Sequence, residues 1–129
     1  MLLLLVRDFH YLDYTIGIRY YQLVIVNFVD DETRKIFEGQ RSRRLPPEIQ
    51  GNAGRKLGYI SAANLITDLR QPPSNRLERL VGDTAGQWSI RINDQWRVCL
   101  NWRERQPDPS TDVPQTGDAY EVEITNHYR

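Results

Sequence analysis

Two short stretches constrain the fold of this chain more than any others. Trp88, Ile90 and Ile92 alternate with Gln87, Ser89 and Arg91. Trp96, Val98, Leu100 and Trp102 alternate with Arg97, Cys99, Asn101 and Arg103. A period of two marks half-buried strands, and the connection through Asn93-Asp94-Gln95 is short enough to make them a hairpin. The register follows from which side chains can share a face. A two-residue loop would set Ile90 opposite Arg97, apolar against charged. A three-residue loop sets Ile90 opposite Val98 and Arg91 opposite Arg97, and the hydrophobic pattern selects it. One face is then Trp88, Ile90, Ile92, Trp96, Val98 and Leu100. The other holds Arg91 and Arg97 side by side. Two directly opposed cations repel, so they either reach into solvent or share an anion.

The rest of the chain supplies what such a hairpin packs against. Leu23 to Val29 is apolar and β-branched and reads as a strand. Asp30-Asp31-Glu32-Thr33 and then Arg34 to Gly39 give acids first, bases after and a glycine stop, a short helix. Leu45-Pro46-Pro47-Glu48-Ile49 opens a second helix with proline at its first positions. Its apolar stripe is Ile49, Ala53, Leu57 and Ile60, and Ala62 to Leu69 extends it by a turn or two before Pro72-Pro73. Residues 104–118 are turn formers and polar residues, expected to be a long exposed loop. Ala119 to Thr125 alternates again, which places Tyr120, Val122 and Ile124 on one face and Glu121, Glu123, Thr125 and His127 on the other. The order β-α-α-β-β-β gives an α+β fold, two N-terminal helices on one face of a small, mainly antiparallel sheet whose other face is polar. Residues 1–22 show neither period. They are expected to be an extension outside the 23–129 domain, either a dispensable arm or an over-long translation start.

Composition narrows the function classes. A chain of 129 residues and 15.2 kDa is one domain. Its single cysteine, Cys99, forms no internal bridge, in keeping with a reducing, cytoplasmic setting. Met1 to Val6 is too short for a signal core, and no apolar run approaches a membrane span. Two histidines and one cysteine, far apart, leave no zinc site. The formal net charge is zero, yet the charge is segregated. Residues 1–33 carry −3, residues 34–105 carry +7 and residues 106–129 carry −4. All the cations but Lys35 and Lys56 are arginine, the planar fork suited to phosphates and to stacking on bases.

The segment from Asn75 to Cys99, above all Gly86-Gln87-Trp88-Ser89-Ile90-Arg91-Ile92-Asn93-Asp94-Gln95-Trp96-Arg97, resembles the HigB toxins of the RelE/ParE superfamily. Phe37-Glu38-Gly39, Ser42-Arg43-Arg44-Leu45-Pro46-Pro47 and Asp118 to Ile124 fit the same family, so the likeness runs from about Val24 to Tyr128. It implies a RelE-like fold and a ribosome-dependent, metal-free endoribonuclease with no cofactor. The implied partners are mRNA, the ribosome and a HigA-type helix-turn-helix antitoxin. Arg97 matches the family's catalytic arginine. Glu78 falls where one HigB toxin has a catalytic histidine and YoeB toxins a catalytic glutamate. His127-Tyr128 match the functional His-Tyr ending of YoeB-like toxins. The Asp-Tyr-His ending of many HigB proteins is here Asn126, His127 and Tyr128. Val81 stands where the family commonly has a lysine, which removes one phosphate contact.

The residues themselves fit that chemistry. RNA carries its own nucleophile, the 2′-hydroxyl. Cleavage needs a base for its proton, a cation for the phosphorane charge and an acid for the leaving 5′-oxygen. Glu78, Arg97 and His127, with Tyr128, are the candidate catalytic set. Arg76, Arg91, Asn126, Arg43 and Arg44 are the candidates for RNA or phosphate contact. Two other readings share the fold: a ParE-like inhibitor that binds DNA gyrase without catalysis, and an inactive homologue that only binds its antitoxin.

Overall fold

The computed structural model describes residues 24–82, 86–106, 109–110 and 115–126. Within them the chain forms α1 (Asp31–Phe37), α2 (Pro47–Ala62), two 3-10 turns (Ile66–Arg70 and Pro73–Asn75), β1 (Glu78–Arg79), β2 (Gln87–Arg91), β3 (Trp96–Glu104) and β4 (Gly117–Asn126). The four strands make an antiparallel sheet in chain order. The hairpin β2–β3 has the register that the alternation selects, Ile90 opposite Val98 and Arg91 opposite Arg97. Asn93 closes its loop by accepting from the backbone N–H groups of Gln95 and Trp96, both at 2.8 Å.

The strand expected at Leu23–Val29 is realised, over its described part, as an interrupted parallel partner of β4. Ile25 bridges Ala119 and Phe28 bridges Val122, with N–H···O bonds from Val26 to Ala119 and from Ala119 to Val24, both at 2.8 Å. The interruption has a cause in β4. Between the pairs Cys99–Glu123 and Asn101–Tyr120, β4 holds one residue more than β3. Glu121 takes φ +52° there, and its N–H bonds the Asn27 side chain at 2.6 Å. This bulge also corrects the expected faces of β4. An extra residue reverses the alternation, so Ala119, Val122 and Ile124 enter the core, while Tyr120 lies on the opposite side under the Arg103 guanidinium, 4.6 Å from the ring centroid.

The helices form for the reasons their sequences give. Asp30 caps α1 by accepting from Thr33 N–H at 2.8 Å, the usual N-terminal device, and Gly39 ends the turn with φ +82°. The stripe Ile49, Ala53, Leu57 and Ile60 of α2 is fully buried against Ile90, Val98, Leu100, Val122 and Ile124. Trp88, Trp96 and Trp102 pack at the margin of this core, partly buried. Thr33 ties α1 to the sheet, its hydroxyl accepting from Ile124 N–H at 3.0 Å. Beyond Ala62 the chain does not continue as α-helix but turns through Ala63 to the 3-10 segment Ile66–Arg70, which buries Ile66 and Leu69.

The β3–β4 hairpin reaches into the stretch expected to be loop. Glu104 pairs with Gly117 and Arg103 with Asp118, and Arg105 forms an ion pair with Asp118. Gly117 is required by packing. A Cβ there would lie 2.6 Å from the Trp102 ring. Gly117→Ala is therefore expected to destabilise the domain by about 1–3 kcal/mol, the usual cost of overpacking, visible as a lower melting temperature. Among the described residues no helix is long and apolar enough to cross a membrane.

Candidate active site

Three neighbouring strands bring the site together. Glu78 on β1 pairs with Ser89 on β2, which pairs with Cys99 on β3. Arg97 sits two residues before Cys99 on the same face, so its side chain reaches diagonally toward Ser89. Its Nη1 donates to Ser89 Oγ at 2.9 Å and to Glu78 Oε1 at 3.3 Å. The Arg97 side chain is only 16% exposed, against 60% for Glu78. Solvent therefore weakens the ion pair, which contributes roughly 0–1 kcal/mol; the buried Ser89 hydroxyl is what fixes the guanidinium. Arg97 Nε is buried and has no hydrogen-bond partner among the described residues. A buried donor without an acceptor is costly. Here the fork is anchored through Nη1 while its enclosed Nε is left unsatisfied, so the guanidinium keeps its full charge at the sheet surface with little neutralisation from within.

Arg91 lies directly opposite Arg97. The expected repulsion is relieved within the hairpin loop, where Arg91 forms an ion pair with Asp94. On the other side of Arg97, β4 presents Thr125. The polar face is not open throughout: Ser89 and Cys99 are both buried.

Glu78 is positioned from below by a buried polar network. Lys56 of α2 is buried, and its Nζ donates to Asn75 Oδ1 at 2.7 Å. Asn75, also buried, donates in turn to the carbonyls of Leu69 and Gln71 at 3.1 and 3.2 Å. This pins the turn that leads through Arg76, in the left-handed conformation with φ +45°, into β1. Burial holds the Lys56 ammonium below the ordinary lysine range, and the nearby charges of Arg55 and Arg91 act in the same direction. The unfolded chain thus binds the Lys56 proton more tightly than the folded one, so this lysine adds stability as pH rises through its folded value toward its unfolded one. Relative to Lys56→Met, the wild type is expected to gain stability in denaturant titrations between neutral and alkaline pH.

The structure thus brings together Glu78, Arg91 and Arg97 of the sequence candidates, with Arg76 two residues from Glu78. Of the other candidates within the described residues it brings in none. Arg43 and Arg44 belong to the connection between the helices. There Ser42 Oγ accepts from the N–H groups of Arg44 and Leu45 at 3.1 Å and donates to Glu32 at 2.6 Å. Asn126 pairs with Trp96, one residue out of phase with Arg97, so register sets it toward the apolar side. His127 and Tyr128 lie outside the described residues, as do residues 1–22. Val81, in the place of the family's lysine, is 84% exposed. Ser89, Lys56 and Asn75 were not singled out by sequence; only the register, which sets Ser89 diagonal to Arg97, could have pointed to the first. Among the described residues no group of three His, Cys, Asp or Glu is placed to hold a metal ion.

A family described as the RelE-like toxin of the type II toxin-antitoxin system HigB matches residues 26–108, a span that holds α1 through β3 and every residue of the Glu78–Ser89–Arg97 contact. Toxin HigB-1 of Vibrio cholerae serotype O1 is 38% identical over 78 residues, 60% of this chain and 82% of the relative. An uncharacterized protein of Haemophilus influenzae is 32% identical over 81 residues, 62% of this chain and 80% of that protein. A toxin of this type is the half of a two-protein system whose other half is an antitoxin. With the match extending over most of the chain and the α+β fold of two helices on an antiparallel sheet in place, the chain belongs to the HigB family of RelE-like type II toxins.

Proposed function

We propose that this toxin is a ribosome-dependent, metal-free endoribonuclease that cuts mRNA in the cytoplasm and is neutralised by a HigA-type antitoxin. The observation that carries the reading is Arg97, fixed by Ser89 and Glu78 with its buried Nε unsatisfied. Such a guanidinium is prearranged for charge that appears only in the transition state, where preorganised donors contribute most. In this reading the 2′-hydroxyl attacks the scissile phosphate and Arg97 takes the charge of the phosphorane. Glu78 and His127 divide the roles of base and acid, and Tyr128 completes the catalytic set. Arg91 and Arg76 hold neighbouring phosphates. Arg43, Arg44 and Asn126 serve as more distant RNA contacts.

The test is induced expression of the full chain, and of residues 24–129, with and without the antitoxin. Both are expected to arrest growth and to create new mRNA 5′ ends on translating ribosomes. Collapse of plasmid supercoiling with intact mRNA would establish the gyrase reading instead. Because the nucleophile is the RNA's own hydroxyl, cleavage of a minimal RNA at high enzyme concentration is expected to continue in excess EDTA. A strict need for added divalent ion on that RNA would refute the mechanism.

A further inference from the structure

The bulge in β4 does more than reset the faces of a strand. It opens a cavity of about 300 Å³ lined by Asn27, Asn101, Trp102, Arg103, Tyr120 and Glu121, at the lower end of the size range of small-ligand sites. We propose that this cavity is a second RNA subsite, which holds one unpaired, amino-bearing nucleobase of the strand whose scissile phosphate lies at Arg97. The proposal rests on the endoribonuclease reading and deepens it by naming a site of base selection.

Position is the first argument. β2 and β3 stay in register through Asn101, so Arg97, Asn101 and Arg103 are on one side of the sheet. Four residues of strand separate Arg97 from Asn101, about 13 Å at the usual rise. A short extended single strand spans that distance. Both sites therefore lie on one track, along the strand that carries the arginine.

Chemistry is the second. Arg103 and Tyr120 are already stacked, Cζ to ring centroid 4.6 Å, and Arg103 is exposed. Unpaired RNA bases are recognised on such aromatic and guanidinium planes and by hydrogen bonds at their edges. The edge reader is the pair Asn101–Glu121, the Asn101 amide donating to Glu121 Oε1 at 2.6 Å. An ionised carboxylate accepts and does not donate, so it favours a base with an exocyclic amino group and repels a phosphate. No exposed aliphatic side chain of the described residues (Val29, Leu65, Val81) lines the cavity, and Arg103, Glu121, Asn27 and Asn101 share its wall with the two aromatic rings, a lining that suits a polar, planar base.

Conformation is the third. A glutamate at φ +52° is in the left-handed region that non-glycine residues rarely occupy, and the Asn27 side chain holds it there at 2.6 Å from the Glu121 N–H. Strained residues of this kind collect where a side chain must be aimed, and here the strain aims the carboxylate beside Asn101.

The direct test is an NMR titration of the full labelled chain with AMP, CMP, GMP and UMP, following the Asn101 side-chain amide and the Trp102 indole N–H. At least one of AMP, CMP and GMP is expected to move both signals, with UMP several-fold weaker. Tyr120→Ala is expected to weaken that binding on the order of tenfold, the size of a lost stacking partner. Tyr120→Phe, which keeps the ring and the packing, is expected to retain it. Glu121→Gln is expected to erase the preference over UMP. No movement with any nucleotide, movement unchanged by Tyr120→Ala and Glu121→Gln, or movement only when the antitoxin is added would overturn the proposal, the last by making the cavity a protein interface.

A second readout separates this proposal from the one beneath it. In cells, wild-type cut sites are expected to show a base bias at one fixed offset, and Glu121→Gln to flatten that bias while cutting continues. Cuts with unchanged bias would remove the subsite and leave the nuclease. Nucleotide binding at the cavity with mRNA intact would uphold the base site and remove the nuclease.

Discussion

Replacing Arg97 by alanine is expected to reduce mRNA cleavage by about a hundredfold or more, the usual cost of losing one preorganised donor to a transition-state charge. The protein should still fold and still bind its antitoxin. Arg97 is held through Nη1 by Ser89 and Glu78 and lies outside the apolar core, so its removal leaves the core packing in place but takes the donor from the buried Ser89 hydroxyl. The substitution also removes a buried, unsatisfied Nε, which offsets the lost hydrogen bonds. Stability should therefore fall only modestly, by about 1–2 kcal/mol, and a thermal melt run beside the cleavage assay distinguishes a dead site from an unfolded protein. Arg97→Lys sharpens the test. A lysine keeps the charge but loses the planar fork, so it should rescue only a small part of the activity. If Arg97→Ala remains as toxic as the wild type at equal abundance, the site lies elsewhere.

Asn75→Ala is expected to have the largest effect on stability, about 3 kcal/mol or more. Three hydrogen bonds converge on this buried side chain, one from the Lys56 ammonium and two to carbonyls. Its removal leaves the buried Lys56 ammonium with the longer contact to Ser74 Oγ at 3.4 Å and takes the donor from two carbonyls, and groups left under-satisfied in that way cost more than the bonds themselves were worth. For a domain of this size that corresponds to a fall in melting temperature on the order of 10 °C. Lys56→Met is the informative comparison. It removes the cation instead of stranding it, so it should be far milder, and the double variant should be milder than Asn75→Ala alone. Cleavage should also fall in Asn75→Ala below the melting temperature, since the turn it pins leads into Glu78. Equal melting temperatures for Asn75→Ala and wild type would contradict the network.

The elements that sequence read well are those with a repeated pattern. Alternation fixed the β2–β3 register because a slip of one residue would have exchanged the buried and polar faces. The stripe of α2 was plain for the same reason at a period near 3.6. What it could not show was single residues that break a pattern. The β4 bulge rests on Glu121 in a left-handed conformation, with no glycine to announce it, so Tyr120 was read onto the wrong face. β1 is two residues long, too short for any period, and exists because Glu78 and Arg79 pair with β2. Lys56 falls beside the apolar stripe, and its burial is made tolerable by partners that no period announces, Asn75 and Ser74 from a later turn and the Tyr59 ring. At the candidate site, Arg97 and Glu78 came from likeness to a family, while their mutual contact and the Ser89 hydroxyl came only from the folded chain.

The pairing of residues 24–29 with β4 sets the order of events when the protein is made. Asn27 bonds Glu121 across 94 positions, and Thr33 bonds Ile124 across 91. The most C-terminal of the described strands thus lies between β3 and the most N-terminal described segment. Contacts this distant in sequence form slowly, because the whole intervening loop must be closed before they reward it. A nascent chain that has exposed the helices and the β2–β3 hairpin still lacks the strand that joins them to its own beginning. The domain therefore completes itself only after nearly all of it has emerged from the ribosome.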